Sequence, residues 1–143
     1  MLTQTIKAAT IATMLLGGLM TNTAMADATD DIAWTLTAEL AEGQDEAFNA
    51  LMEEMVESTK AETGAKTFEI FRSGNAIHVN ERYETNEDAG IHLGNFGEKF
   101  AERFLAIVTP TSLQVYGPAS GGVREGLAGL GATFYDQIGG FSR

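Results

Sequence analysis

The chain has 143 residues, 44% hydrophobic and 20% charged, with 16 Gly, 2 Pro, no Cys, and 9 basic against 20 acidic side chains for a formal charge of -11. That length suits one domain, and the hydrophobic share is too high for a disordered chain. The acidic balance argues against nucleic acid or an anionic membrane as partner, since both are gripped by clustered Lys and Arg, and the lack of Cys removes disulfides, thiolate nucleophiles and Cys-ligated metal.

Residues 1–26 combine a weakly basic start at Lys7, an apolar stretch over 8–20 and the small-x-small triplet Ala24-Met25-Ala26. The apolar part is shorter than the ~20 residues that span a bilayer, which predicts a cleaved secretory leader and a periplasmic or secreted product with no membrane attachment after cleavage. Removal after Ala26 leaves 117 residues and a formal charge of -12. From Ile32 to Leu40 apolar and polar residues alternate, which predicts a half-buried strand. From Asp45 the period changes: Phe48, Leu51, Met52, Met55, Val56 and Thr59 recur at three and four, predicting an amphipathic helix closed by Gly64. Residues 67–72 and Ala76–Tyr83, joined by Ser73-Gly74-Asn75, read as a hairpin. Thr85 followed by Asp88 resembles a capping box and opens a short helix over 85–93. A second helix is predicted over 95–107, with Phe96, Phe100 and Phe104 as core, stopped by Pro110 ahead of a short strand at 112–116.

The order is β-α-β-β-α-β, the α+β, ferredoxin-like split βαβ arrangement with an antiparallel sheet. Helices cover only one face of such a sheet, so pairing of two sheets in a homodimer is expected. Three regions follow: the leader 1–26, a domain at 27–116 and a Gly-rich extension at 117–143. Within the extension, 123–130 suits a short helix and 132–138 an extended piece, reaching over a partner subunit or closing the site as a local lid. The stretch 121–131 lacks the Lys and the preceding hydrophobic strand of a phosphate loop.

Glu81-Arg82-Tyr83 at the end of a strand, then Asp88-Ala89, His92, the Phe96, Phe100 and Phe104 series and a strand ending in Tyr116 resemble the antibiotic biosynthesis monooxygenase family of dimeric α/β barrels. The resemblance spans about 60% of the chain. It implies oxidation of a phenolic or quinol-like molecule by dioxygen, without metal or flavin, in a pocket between sheet and helices. Such chemistry needs a base, a donor for the oxyanion and aromatic walls. His92, with an ordinary pKa near ~6.5, is the candidate base. Glu81 is the candidate to orient it, and strand alternation puts Tyr83 on the face of Glu81 while His78, Asn80 and Arg82 take the other. Trp34, Tyr116 and Phe96 are the candidate ligand-binding residues, with core packing the competing role for Trp34 and Tyr83. No metal site is expected, because the two histidines lack a third ligand at useful spacing.

A haem-degrading branch of that family is a poor match. It carries a histidine where this chain has Glu98 and Lys99, an Asn on the first strand where Thr35 and Thr37 stand, and a Trp at the position of Tyr83. Two classes stay open: an exported, cofactor-independent oxygenase, and a non-catalytic dimeric barrel that binds a small hydrophobic molecule or serves only in assembly. Glu81 and His92 equally suit a hydrogen-bonded pair fixing helix to sheet.

Overall fold

The computed structural model describes residues 30–141. The expected leader lies outside these residues. Among them, no helix is long and apolar enough to cross a membrane.

The element order is β1 (Ile32–Leu40), α1 (Asp45–Lys60), β2 (Ala65–Ser73), β3 (Ala76–Tyr83), α2 (Asn86–Lys99), α3 (Ala101–Ile107), β4 (Val108–Tyr116), α4 (Gly121–Gly129) and β5 (Thr133–Tyr135). The strands form one sheet in the order β2-β3-β1-β4-β5. All pairs are antiparallel except β4 with β5, which is parallel. The first four strands reproduce the predicted ferredoxin-like arrangement, and the five-stranded sheet does not close on itself within one chain. Alternation sorts the faces as expected: on β3, Ile77, Val79, Glu81 and Tyr83 are buried beneath the helices, whereas His78 is exposed on the open face.

Two apolar clusters cover the helix side of the sheet. One joins β1, β3 and β4 to Phe48, Leu51, Met52 and Met55 of α1 and to Phe100 and Phe104. The other gathers Ile32, Trp34, Tyr83, Ala89, Leu113 and Val115 under Val123 and Leu127 of α4. Burial of large side chains at helical spacing is what holds these amphipathic segments in place, at roughly 25 cal/mol per Å² of apolar surface removed from water.

Four predicted boundaries move, each for a physical reason. Helix α1 ends at Lys60, and Gly64 instead closes the following turn into β2. Helix α2 runs through Gly94 and Gly97, because a glycine costs a helix interior only ~1 kcal/mol and packing of the buried Ala89 and His92 outweighs it. The break falls at Phe100, with φ -126 and ψ -29, and lets Phe100 and Phe104 enter the same cluster. Pro110 lies inside β4, opposite Ala38, where the β1–β4 register shifts; a proline is tolerated at such a bulge, so the strand begins at Val108.

The extension does not leave the domain. Gly117 takes φ +94, and a Cβ there would lie 2.3 Å from the carbonyl oxygen of Asp31, so only glycine permits this turn. The chain then lays Val123 and Leu127 against the second cluster and adds β5 to the sheet edge. The extension thus packs on the chain's own helices and sheet.

Gly64 ties the turn after α1 to the start of α2. It takes φ +77, its carbonyl accepts from the Glu84 amide at 2.8 Å, and the Asp88 carboxyl fills the space where a Cβ would sit, 2.2 Å from Cγ. Asp88 itself is in the predicted capping box, its amide donating to Thr85 Oγ1 at 3.1 Å. Gly64→Ala is expected to lower stability by about 1–3 kcal/mol, measured by urea unfolding, because it adds left-handed strain and displaces Asp88. An unchanged unfolding midpoint would contradict that account.

Candidate functional site

Strand alternation on β3 and helical spacing on α2 bring together Glu81, Tyr83 and His92. Glu81 Oε2 accepts from the Tyr83 hydroxyl at 2.7 Å and lies 3.0 Å from His92 Nε2. His92 Nδ1 lies 2.9 Å from Glu62 Oε2, and Asn95 Nδ2 donates to Glu62 Oε1 at 2.9 Å. The result is a buried chain of polar groups, Tyr83–Glu81–His92–Glu62–Asn95, running from the sheet to the turn after α1. Aromatic rings pack around it. Tyr83 stacks on His92 with centroids 4.8 Å apart and on Trp34 at 4.9 Å, and Phe68 lies 6.0 Å from the imidazole.

Both ring nitrogens of His92 therefore face carboxylates. Burial opposes a charged ring, but the hydrogen bonds and charges of Glu81 and Glu62 outweigh it and raise the pKa above its ordinary value. A doubly protonated imidazolium satisfies both contacts, donating at each end. A ring in that state has no free lone pair. The Tyr83 phenol is pushed up well beyond its ordinary range, first by burial and then by the Glu81 charge, so its hydroxyl is a fixed donor.

An apolar cavity of about 360 Å³ opens beside this chain, between sheet and helices. Trp34, Leu36, Val79 and Glu81 form its sheet wall, and His92 and Phe96 stand on the helix side. Glu81 is the acidic residue on that wall. Its Oε2 carries both contacts described above, and the side chain borders the cavity. A carboxylate held at one oxygen and bordering a cavity can exchange a proton with a molecule there.

The structure separates the remaining predicted residues. Trp34 and Phe96 line the cavity. Tyr83 does not: it is fully buried behind Trp34 and His92 and reaches the site through Glu81. Tyr116 is on the opposite face of the sheet from Val115, half-exposed and stacked on Tyr135 at 5.6 Å, because alternation along β4 turns it away from the helices. Glu62 escaped the sequence reading. It sits in an irregular turn with no periodicity to mark it, and its reach to His92 depends on the Gly64 turn. The carboxylates and imidazole make a row rather than a shell, and among the described residues no three His, Cys, Asp or Glu side chains converge to hold a metal ion.

No protein-family model matches the sequence, and no curated protein matches it. Solved structures do. MupZ from Pseudomonas fluorescens superposes with a TM-score of 0.71 at 25% identity, over 79% of this chain and 94% of its own. A proposed antibiotic biosynthesis monooxygenase from Nitrosomonas europaea gives 0.56 at 19% identity, over 63% and 91%. SnoaB, a cofactor-independent oxygenase from Streptomyces nogalater solved as a single-site variant, gives 0.55 at 11% identity, over 64% and 96%. This chain thus shares the α+β, ferredoxin-like fold of MupZ, of SnoaB and of a protein described as an antibiotic biosynthesis monooxygenase.

Proposed function

We propose that the protein is a cofactor-independent oxygenase of a small, electron-rich phenol or hydroquinone, with Glu81 as the base. The observation that carries this reading is a carboxylate on the wall of an apolar cavity with one oxygen clamped by Tyr83 and His92. The activity of SnoaB, named as a cofactor-independent oxygenase, supports the same chemistry on this fold. A pocket that only bound a hydrophobic molecule would gain nothing from a carboxylate on its wall, since desolvating that group opposes binding.

The steps balance as follows. The phenol gives its proton to Glu81 Oε1, and the positive charge of His92 beside Glu81 offsets the negative charge gained by the substrate. The phenolate passes one electron to dioxygen, leaving a phenoxyl radical and superoxide. These combine at a ring carbon, forming a C–O bond, and Glu81 returns the proton to the resulting peroxide. Loss of water, built from the ring C–H hydrogen and the terminal OH, leaves a quinone. The sum is phenol plus dioxygen giving quinone plus water. Tyr83 and Glu62 are positioning residues, one holding Glu81 and the other holding the imidazolium.

Oxygen uptake in the presence of a panel of phenols and hydroquinones tests the reading. Turnover well above the uncatalysed rate for at least one member is expected; none for any member contradicts it. Two further parts belong to the proposal. The leader-like residues 1–26 support export to the periplasm or beyond, and the sheet face left open by the helices supports a homodimer. Native mass spectrometry of protein recovered from the periplasmic fraction is expected to show a chain beginning at Asp27 at twice its single-chain mass. A retained N-terminus or a stable monomer contradicts the respective part.

A further inference from the structure

The cavity is polar at one pole only. Of its wall residues, Glu81 and His92 carry ionisable groups, while the Thr111 and Ser112 hydroxyls are bonded to Thr37 Oγ1 and so are committed elsewhere. Thr37 follows Leu36 on β1, and alternation puts Leu36 on the cavity wall and Thr37 on the open face of the sheet. The rest of the lining is apolar, and it continues past the protein boundary. Leu105 of α3 and Leu130, just beyond α4, both line the cavity, yet they are 56% and 67% exposed. Leu127, one turn earlier on α4, is 1% exposed and anchors that wall in the second cluster. The extension thus supplies one side of an apolar rim whose leucines stand in water.

A ligand that ended inside the cavity would leave that rim wet. One bearing an apolar tail would cover it, removing apolar surface from water on both partners. We propose that the site takes an amphiphilic phenol, with its ring and hydroxyl at Glu81 and His92 and an aliphatic tail leaving between Leu105 and Leu130. This rests on the reading of the cavity as a phenol site and adds the substrate class. It also makes the extension a specificity element, because Leu130 selects the tail without touching the reacting ring.

Trp34 is the single tryptophan of the chain and lies on the cavity wall, so its emission reports binding without turnover. The full chain is titrated with 4-alkylphenols from methyl to hexyl. Affinity is expected to rise about fourfold per added methylene that reaches the rim. In Leu105→Gln/Leu130→Gln the hexyl-to-methyl affinity ratio is expected to fall by about tenfold. Both positions are exposed, and Leu130→Gln alone gives a milder second variant with a smaller fall. Binding of 4-methylphenol with no gain along the series, or an unchanged ratio in both variants, overturns the tail proposal and leaves the phenol site standing. Failure of every member to change Trp34 emission overturns both. Conversion of a dimer to a monomer by the rim substitutions, read by sedimentation, assigns the leucines to a second copy and overturns the tail proposal alone.

Discussion

Glu81→Gln is expected to lower turnover of a phenolic substrate by about 10²- to 10⁴-fold and also to lower the melting temperature, because the charge facing His92 is lost. The amide keeps the volume of the side chain, and its oxygen can still accept from Tyr83 and His92, so the buried chain of groups survives. What it loses is the charge and a basic oxygen on the cavity wall, since Oε2 is already committed to Tyr83 and His92. A role confined to fixing helix to sheet predicts a different outcome, in which stability falls but turnover per folded molecule does not. Parallel measurement of oxygen uptake and thermal unfolding separates the two. Full activity in Glu81→Gln would remove Glu81 from the chemistry.

His92 carries the second large effect, on stability and its pH dependence. Replacing it by Ala removes the cation between two buried carboxylates, and breaking such a pair costs about 3 kcal/mol at neutral pH. In the wild type, His92 is held above its ordinary value of 6.5, because the hydrogen bonds and charges of Glu81 and Glu62 together exceed the opposing effect of burial. The folded state therefore keeps a proton that the unfolded imidazole has released. That contribution is complete below the unfolded value and is lost as pH rises through the folded one. The groups facing the ring are Glu81 from β3, Glu62 from the turn after α1, and the Tyr83 phenol, which stays protonated. Urea midpoints across neutral and mildly alkaline pH are expected to show a wild-type advantage over His92→Ala that narrows as pH rises. An advantage that grows with pH would mean that the ring is held neutral.

Much of this site was legible in the sequence for simple geometric reasons. Period two along Ala76–Tyr83 was enough to put Glu81 and Tyr83 on the helix side and His78 on the other. The capping box at Thr85 marked the helix that carries His92, and His92 itself came from the resemblance to the family pattern. The rest depends on tertiary detail that no periodicity records. Glu62 reaches His92 only because Gly64 turns the chain back over Asp88. That second carboxylate gives both ring nitrogens of His92 an acidic neighbour, which is why the proposal takes Glu81 and not His92 as the base. The same limit applies to the extension: its short helix and extended piece are visible in composition, but its docking follows from the close approach of Gly117 to Asp31 and the burial of Val123 and Leu127. Tyr116 was misplaced because an aromatic residue at the end of a strand was read without following alternation from Val115.

The central claim is that this pocket moves oxygen from dioxygen to a carbon atom. It is tested most directly by turnover under dioxygen labelled with heavy oxygen, followed by mass spectrometry of the product. One labelled atom in each quinone molecule, with the other in water, is the predicted result. Product whose new oxygen carries no label, having come from the unlabelled water, would contradict the claim and would mean that Glu81 and His92 activate water instead.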